Sequence, residues 1–150
     1  MSGKRVFKHL SGVETTAGTT NIPLNPPSGY LYSVIYAVAG LATGTGTGTR
    51  STHVQGVLMG DVTGATPSIL DIAGTGNQTT TSTNYTAYAS FWVNSNPSGG
   101  SGYLLRGPVI IWPTLSVSTG RIGLMFQSVL ISGDSASYDV LVEVIPYSEG

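Results

Sequence analysis

The sequence predicts an all-β fold, an antiparallel β-sandwich or jelly-roll-like domain preceded by an extended N-terminal arm, and three observations carry that prediction. Val, Ile, Thr and Tyr are plentiful while Glu and Lys are scarce, which suits a pleated, half-buried surface better than a helix. Apolar residues alternate with polar ones instead of recurring every three or four positions. Gly, Pro, Asn, Asp and Ser fence these alternating runs at short intervals, as turns between strands require.

Residues 1–29 differ from the rest of the chain. They hold Lys4, Arg5 and Lys8, half of the six basic residues of the chain, together with a single aromatic, Phe7, and a Thr-rich middle. Ile22-Pro23-Leu24-Asn25-Pro26-Pro27 then favours extended backbone, because proline fixes φ and cannot continue a helix. The segment reads as an arm leading into a sandwich domain over residues 30–150. The alternative is an edge strand lying along its own domain, and the residues do not choose between the two.

The clearest strand is 84–94, where Tyr85, Ala87, Ala89, Phe91 and Val93 point one way and Thr86, Tyr88, Ser90 and Trp92 the other. Residues 137–147 repeat the pattern, with Tyr138, Val140, Val142 and Val144 opposed by Asp139, Leu141, Glu143 and Ile145. Further strands are expected at 31–39, 52–59, 68–73, 104–111, 115–118 and 121–131. About eight short strands suffice for two sheets that each hide one face against the other. The short junctions at Thr119-Gly120 and Ser132-Gly133-Asp134 suggest that the last three strands form a meander. Residues 44–49, reading GTGTGT, look like a flexible tip, and 74–83 and 94–102 look like polar loops that are mobile or ordered by a neighbour.

Only 9% of the residues are charged and the formal net charge is −1, so neither a nucleic-acid footprint nor an acidic partner surface is written into the composition. A Gly/Ser/Thr-rich exterior so poor in charge has two readings, a surface covered by other subunits or a neutral exterior of the kind secreted β domains use. No cysteine is present, which excludes disulfides and thiolate metal sites. The first residues lack the apolar run of a signal peptide, and no segment approaches the ~20 apolar residues needed to span a membrane. Synthesis in a cytoplasm is the expectation.

Catalysis needs titratable or nucleophilic groups held together, and few are available. His9 and His53 are the only histidines, no G-x-S-x-G elbow occurs, and the acidic residues are single and scattered. His53 reads as a surface or rim residue, and Asp61 and Asp134, each after a glycine, read as turn residues whose carboxylates cap nearby amides. GTGTGT lacks the lysine of a phosphate-binding loop. No catalytic residue, metal ligand or cofactor is assigned, and an enzyme is not expected. Tyr88 and Trp92 share a face and offer the one alternative site, an aromatic pair able to stack on a sugar ring.

Pro108-Val109-Ile110-Ile111-Trp112-Pro113, then Leu115-Ser116-Val117, a long strand, a Gly133-Asp134 turn and the closing Tyr138-Asp139-Val140-Leu141-Val142-Glu143-Val144 form one further pattern. In these residues the stretch 106–146 resembles small virion proteins of tailed bacteriophages, head decoration or cement proteins with jelly-roll-like domains. The resemblance implies a structural protein made in the host cytoplasm and carried on the virion, present in many copies, commonly as homotrimers, with the major capsid protein as its partner and with neither nucleic acid nor membrane involved. On that reading Phe7 is the apolar anchor of a capsid-contacting arm, Lys4, Arg5 and Lys8 face an acidic shell surface, and Ile22 and Leu24 complete the contact. Removing residues 1–29 is then expected to abolish shell binding and leave the domain folded. Two other readings stand beside it: a glycan-binding or tail-associated adhesin using Tyr88 and Trp92, and a self-assembling major structural subunit.

Overall fold

The computed structural model describes residues 4–58, 68–90, 102–104, 109–113 and 122–147. Among these residues there are ten strands: β1 (Val6–Glu14), β2 (Gly18–Pro23), β3 (Tyr30–Ala42), β4 (Ser51–Leu58), β5 (Ser68–Gly74), β6 (Asn84–Ser90), β7 (Gly102–Leu104), β8 (Val109–Ile111), β9 (Ile122–Leu130) and β10 (Ser135–Pro146). They form two sheets, ordered β1-β10-β3-β6-β7 with β8 also on β3, and β2-β9-β4-β5. All pairings are antiparallel except the short one between β6 and β7. Strands from the start of the chain pair with strands from its end, β1 with β10 and β2 with β9, while β3 and β4 lie inside them. This rolled-up double hairpin, four strands to each sheet apart from the short β7 and β8, is the jelly roll.

Alternation places the core as the sequence implies. Ala87 and Ala89 of β6 and Val140 and Val142 of β10 are fully buried, and Tyr85, Tyr138 and Val144 pack against them. Tyr32, Val34, Ala37, Ala39 and Leu41 of β3 meet Val54, Leu124 and Phe126 from the other sheet. In β3 the inward set changes parity between Val34 and Ala37, where the register with β10 shifts, as a bulge does. The expected strand at 115–118, and parts of those at 52–59, 84–94 and 104–111, lie outside the described residues.

Three expectations change. The last strands are not a meander: β9 belongs to one sheet and β10 to the other, so the 132–134 junction crosses the sandwich instead of closing a hairpin. Period-two patterning fixes which face of a strand is apolar but not which strand lies beside it. Residues 1–29 are extended, yet they are not separate from the domain. β1 runs along β10 from Val6↔Val144 to Glu14↔Ala136, and β2 runs along β9 from Gly18↔Leu130 to Pro23↔Met125, so the segment supplies one edge strand to each sheet. Finally, residues 44–49 are not a free tip, because they wrap around the buried side chain of Arg50.

β1 is fitted to the sheet at Gly12. This residue lies opposite Tyr138, and a Cβ added there would come within 2.6–2.9 Å of the phenol group. The Tyr138 ring covers the glycine and packs on Phe126, with ring centroids 4.8 Å apart, an aromatic shielding an otherwise bare stretch of edge strand. Gly12→Val is expected to destabilise the domain by about 1–3 kcal/mol, the usual range for overpacking. A urea melt reads this directly, and an unchanged midpoint would mean that the ring swings aside without loss.

Candidate functional site

The outer face of the first sheet carries most of the exposed chemistry. Across β1, β10 and β3, Arg5 donates from Nε and Nη2 to the two carboxylate oxygens of Glu143 at 3.0 and 2.8 Å, and its guanidinium lies 5.1 Å above the Phe7 ring. Hydrogen bonds from Arg5 hold the Glu143 carboxyl below the usual carboxylate range. One row along, His9 Nε2 lies 2.7 Å from the Tyr36 hydroxyl, which donates to Asp139 Oδ1 at 3.1 Å. Burial first, and then the hydrogen bond to Asp139 and its charge, push the Tyr36 phenol above its ordinary value. Imidazole, phenol and carboxylate thus stand in line, but the His9 and Asp139 side chains are 62% and 50% exposed. In water such groups lack the desolvated, preorganised setting that makes dipoles catalytically strong.

The second sheet has one counterpart. His53 Nδ1 lies 3.0 and 3.1 Å from the two oxygens of Asp71. The ring reaches there because residue 74 is glycine: a Cβ at Gly74 would fall on the imidazole. Expected at a rim, His53 has instead a largely covered side chain, 14% exposed, on a strand flanked on both sides. Among the described residues no cluster of three or more His, Cys, Asp or Glu side chains is placed to hold a metal ion.

At one end of the sandwich, Arg50 and Asp134 are both fully buried, with Arg50 Nε donating to Asp134 Oδ2 at 3.1 Å. Arg50 also donates to the carbonyls of Gly48, at 3.0 Å, Thr79, at 3.3 Å, and Gly46. Asp134 accepts from the backbone amides of Gly44, at 2.7 Å, and Ile131, at 2.8 Å. Burial by itself raises the Asp134 pKa, but those two amides and Arg50 together outweigh it and hold the carboxyl below its ordinary value. Asp134 does cap amides, as its place after Gly133 suggests. It also anchors a charge network that joins residues 44–50, the loop at 79 and the β9–β10 crossing, and that role was not foreseen. This is a structural tie in which both charged side chains are shut off from solvent beneath a surface loop.

The residues proposed for an arm contact are dispersed by the fold. Lys4, Arg5, Phe7 and Lys8 are exposed. Phe7 shares the outer face with Glu143, while Lys8, opposite Val142, has the inward parity at the sheet edge. Leu24 is 8% exposed in the core, and Ile22 packs against that core opposite Phe126. Both therefore leave the contact set, because their apolar surface already serves the domain. Tyr88 is half-buried on the outer face opposite Val38, and Trp92 lies outside the described residues. Sequence reasoning missed the His9–Tyr36–Asp139 row, the Arg5–Glu143 pair and the Arg50–Asp134 pair, whose members lie far apart in the chain and share no local motif.

The exposed apolar residues give the clearest functional signal. Val6, Phe7 and Val13 on β1 are 55%, 47% and 69% exposed, and Ile69 and Leu70 on β5 are 56% and 47% exposed. Among the described strands β1 ends the first sheet and β5 the second, at the ends opposite β7 and β2. Isolated surface apolar residues, such as Tyr30 on the interior strand β3, need no explanation, whereas apolar residues grouped on an edge strand are of the kind that another chain can pair or pack against.

The fold and these edges define a jelly-roll β-sandwich whose described polar clusters tie strands together. No family model matches the sequence, and no curated protein matches it. Among solved structures, a chain in the structure of infectious bursal disease virus, Gx strain, is similar with 12% sequence identity and a TM-score of 0.34, over 99% of this chain and 39% of that one. The protein thus spans about two-fifths of the length of that chain.

Proposed function

We propose that this chain is a virion structural protein, a jelly-roll subunit of the decoration or cement type that docks on a bacteriophage capsid shell and reinforces it, with the major capsid protein and copies of itself as partners. The observation that carries the reading is the placement of exposed apolar residues on the edge strands β1 and β5 of a surface otherwise poor in charge. Jelly rolls serve capsids, lectins and other proteins alike, so the fold alone assigns none of these roles. Of the arm residues, Lys4, Phe7 and Lys8 are exposed, whereas Arg5 is engaged with Glu143 and lies over the Phe7 ring.

The test is capture by shells of the virus that encodes the chain, prepared without it. Stoichiometric co-sedimentation and a raised shell disruption temperature are the expected results. Shells that neither bind the protein nor gain heat resistance would reject the reading. The same edge residues, present on both sheets, favour a second reading, a self-assembling shell or tube subunit. Closed particles or tubes in electron micrographs of the purified chain alone would select it.

A further inference from the structure

We propose that β1 is a self-pairing edge: two copies of this chain join β1 to β1, antiparallel about a two-fold axis through Leu10, into one continuous sheet. β1 ends its sheet, so one side of a nine-residue strand keeps backbone N–H and C=O groups without a ladder partner among the described strands. Such an edge is a template for another strand, and one that meets its own copy forms an isologous contact.

The sequence of β1 is complementary to itself in one register. With Leu10 opposite Leu10 of the second copy, Val6 faces Glu14, Phe7 faces Val13, Lys8 faces Gly12 and His9 faces Ser11, so the whole of β1 is used. Phe7 and Val13 both lie on the outer face, opposite Glu143 and Ser137 of β10, and both are strongly exposed. The two-fold brings each against the other, twice, which removes two exposed apolar side chains of each copy from water. On the opposite face Lys8 stands diagonal to Glu14 of the second copy, within reach of a long side chain. Thr16, through its hydroxyl and its amide, holds the Glu14 carboxyl below the usual range, so this partner is anionic at neutral pH. A shift by one residue would set Phe7 against Glu14 or Gly12 in place of Val13, and the apolar match would be lost.

The pairing draws on the β1 residues Phe7 and Val13 that the shell reading also invokes, and its test separates the two because it is read on the purified chain with no shell present. It is two-fold, so it predicts a dimer where the phage resemblance implies a trimer. Light scattering behind size exclusion should give twice the 15.5 kDa chain mass. Phe7→Lys with Val13→Lys sets like charges opposite each other at both crossings and should halve the mass. Phe7→Lys with Val13→Asp sets opposite charges there and should restore it, with circular dichroism confirming that both variants keep the β fold. The chain has no cysteine, so register is read by mixing Phe7→Cys with Val13→Cys protein. The mixture should oxidise to a disulfide-linked pair while each variant alone stays unlinked. A monomer, a trimer indifferent to the lysine pair, or cross-linking of either cysteine variant with itself would overturn the assignment.

Discussion

Arg50→Met is expected to remove about 3–5 kcal/mol of stability, the cost of breaking a buried ion pair and leaving its partner uncompensated. The side chains of Arg50 and Asp134 are shut off from water, so the abandoned Asp134 carboxylate has no solvent to turn to. It would keep its two amide donors, from Gly44 and Ile131, while the carbonyls of Gly46, Gly48 and Thr79 would lose theirs. Such a loss lowers the melting temperature of a domain this size by about 6–20 °C. Asp134→Asn should be comparably harmful, because an amide turns N–H donors toward at least one neighbour that is itself a donor. Replacing both residues with apolar ones should recover part of the loss, though the freed backbone groups keep it from being complete. A change no larger than the ~0.5 kcal/mol typical of surface sites would show that the end of the sandwich does not depend on this pair.

The same pair contributes to the acid limb of stability. The Asp134 carboxyl binds its proton less readily in the folded state than in the unfolded chain, so the unfolded state takes up more protons as pH falls. Its contribution is full above the ordinary carboxylate pKa of about 4 and is lost as pH drops through the lower folded value. Urea midpoints measured across that range should fall less steeply for Asp134→Asn than for the native chain.

Deleting residues 1–29 is expected to abolish cooperative folding, the reverse of what an independent arm implies. The deletion takes β1 from one sheet and β2 from the other, which bares β10 and β9 along their lengths as new edges. It also withdraws Leu24 from the core, together with Leu10 and Ile22 that pack on it. Truncating one buried Leu to Ala costs about 2–5 kcal/mol, and with two partly buried side chains and two strand ladders lost besides Leu24 the total approaches the 5–15 kcal/mol by which a domain is stable. A broad thermal transition, dye binding to exposed apolar surface and aggregation are the expected signs. A sharp melt within a few degrees of the full chain would show instead that the two strands are dispensable. Loss of shell binding in this deletion says nothing about contacts made by the segment, and point changes at Phe7 or Lys4 are the sharper probe.

Much of the architecture was legible in local pattern. Tyr85, Ala87 and Ala89 share a face in the sequence and share the core in the fold. The same holds for Tyr138, Val140, Val142 and Val144, because a strand has a period of two whatever its neighbours are. Proline marked strand ends at Pro23 and Pro146, but glycine was a poorer guide, since Gly12, Gly40 and Gly56 lie within strands. The candidate surface was legible only in part: Phe7 was singled out as an apolar anchor and is exposed, but Leu24, chosen by the same logic, is a core residue. Nothing local distinguishes an apolar residue waiting for a partner from one already packed.

By itself the sequence determined that the chain is built of strands, which side chains turn inward in the strands that became β6 and β10, and that no disulfide holds them. Only the tertiary structure decided which strands are neighbours, that the early segment closes both sheets, and that Arg50 finds Asp134 across 84 positions of chain. The reason is physical: periodicity is a property of a few consecutive residues, whereas pairing and charge burial are settled by closing long loops, whose entropic cost grows only slowly with length. Many partners are therefore open to each strand, and the choice among them falls to packing and to the satisfaction of buried polar groups.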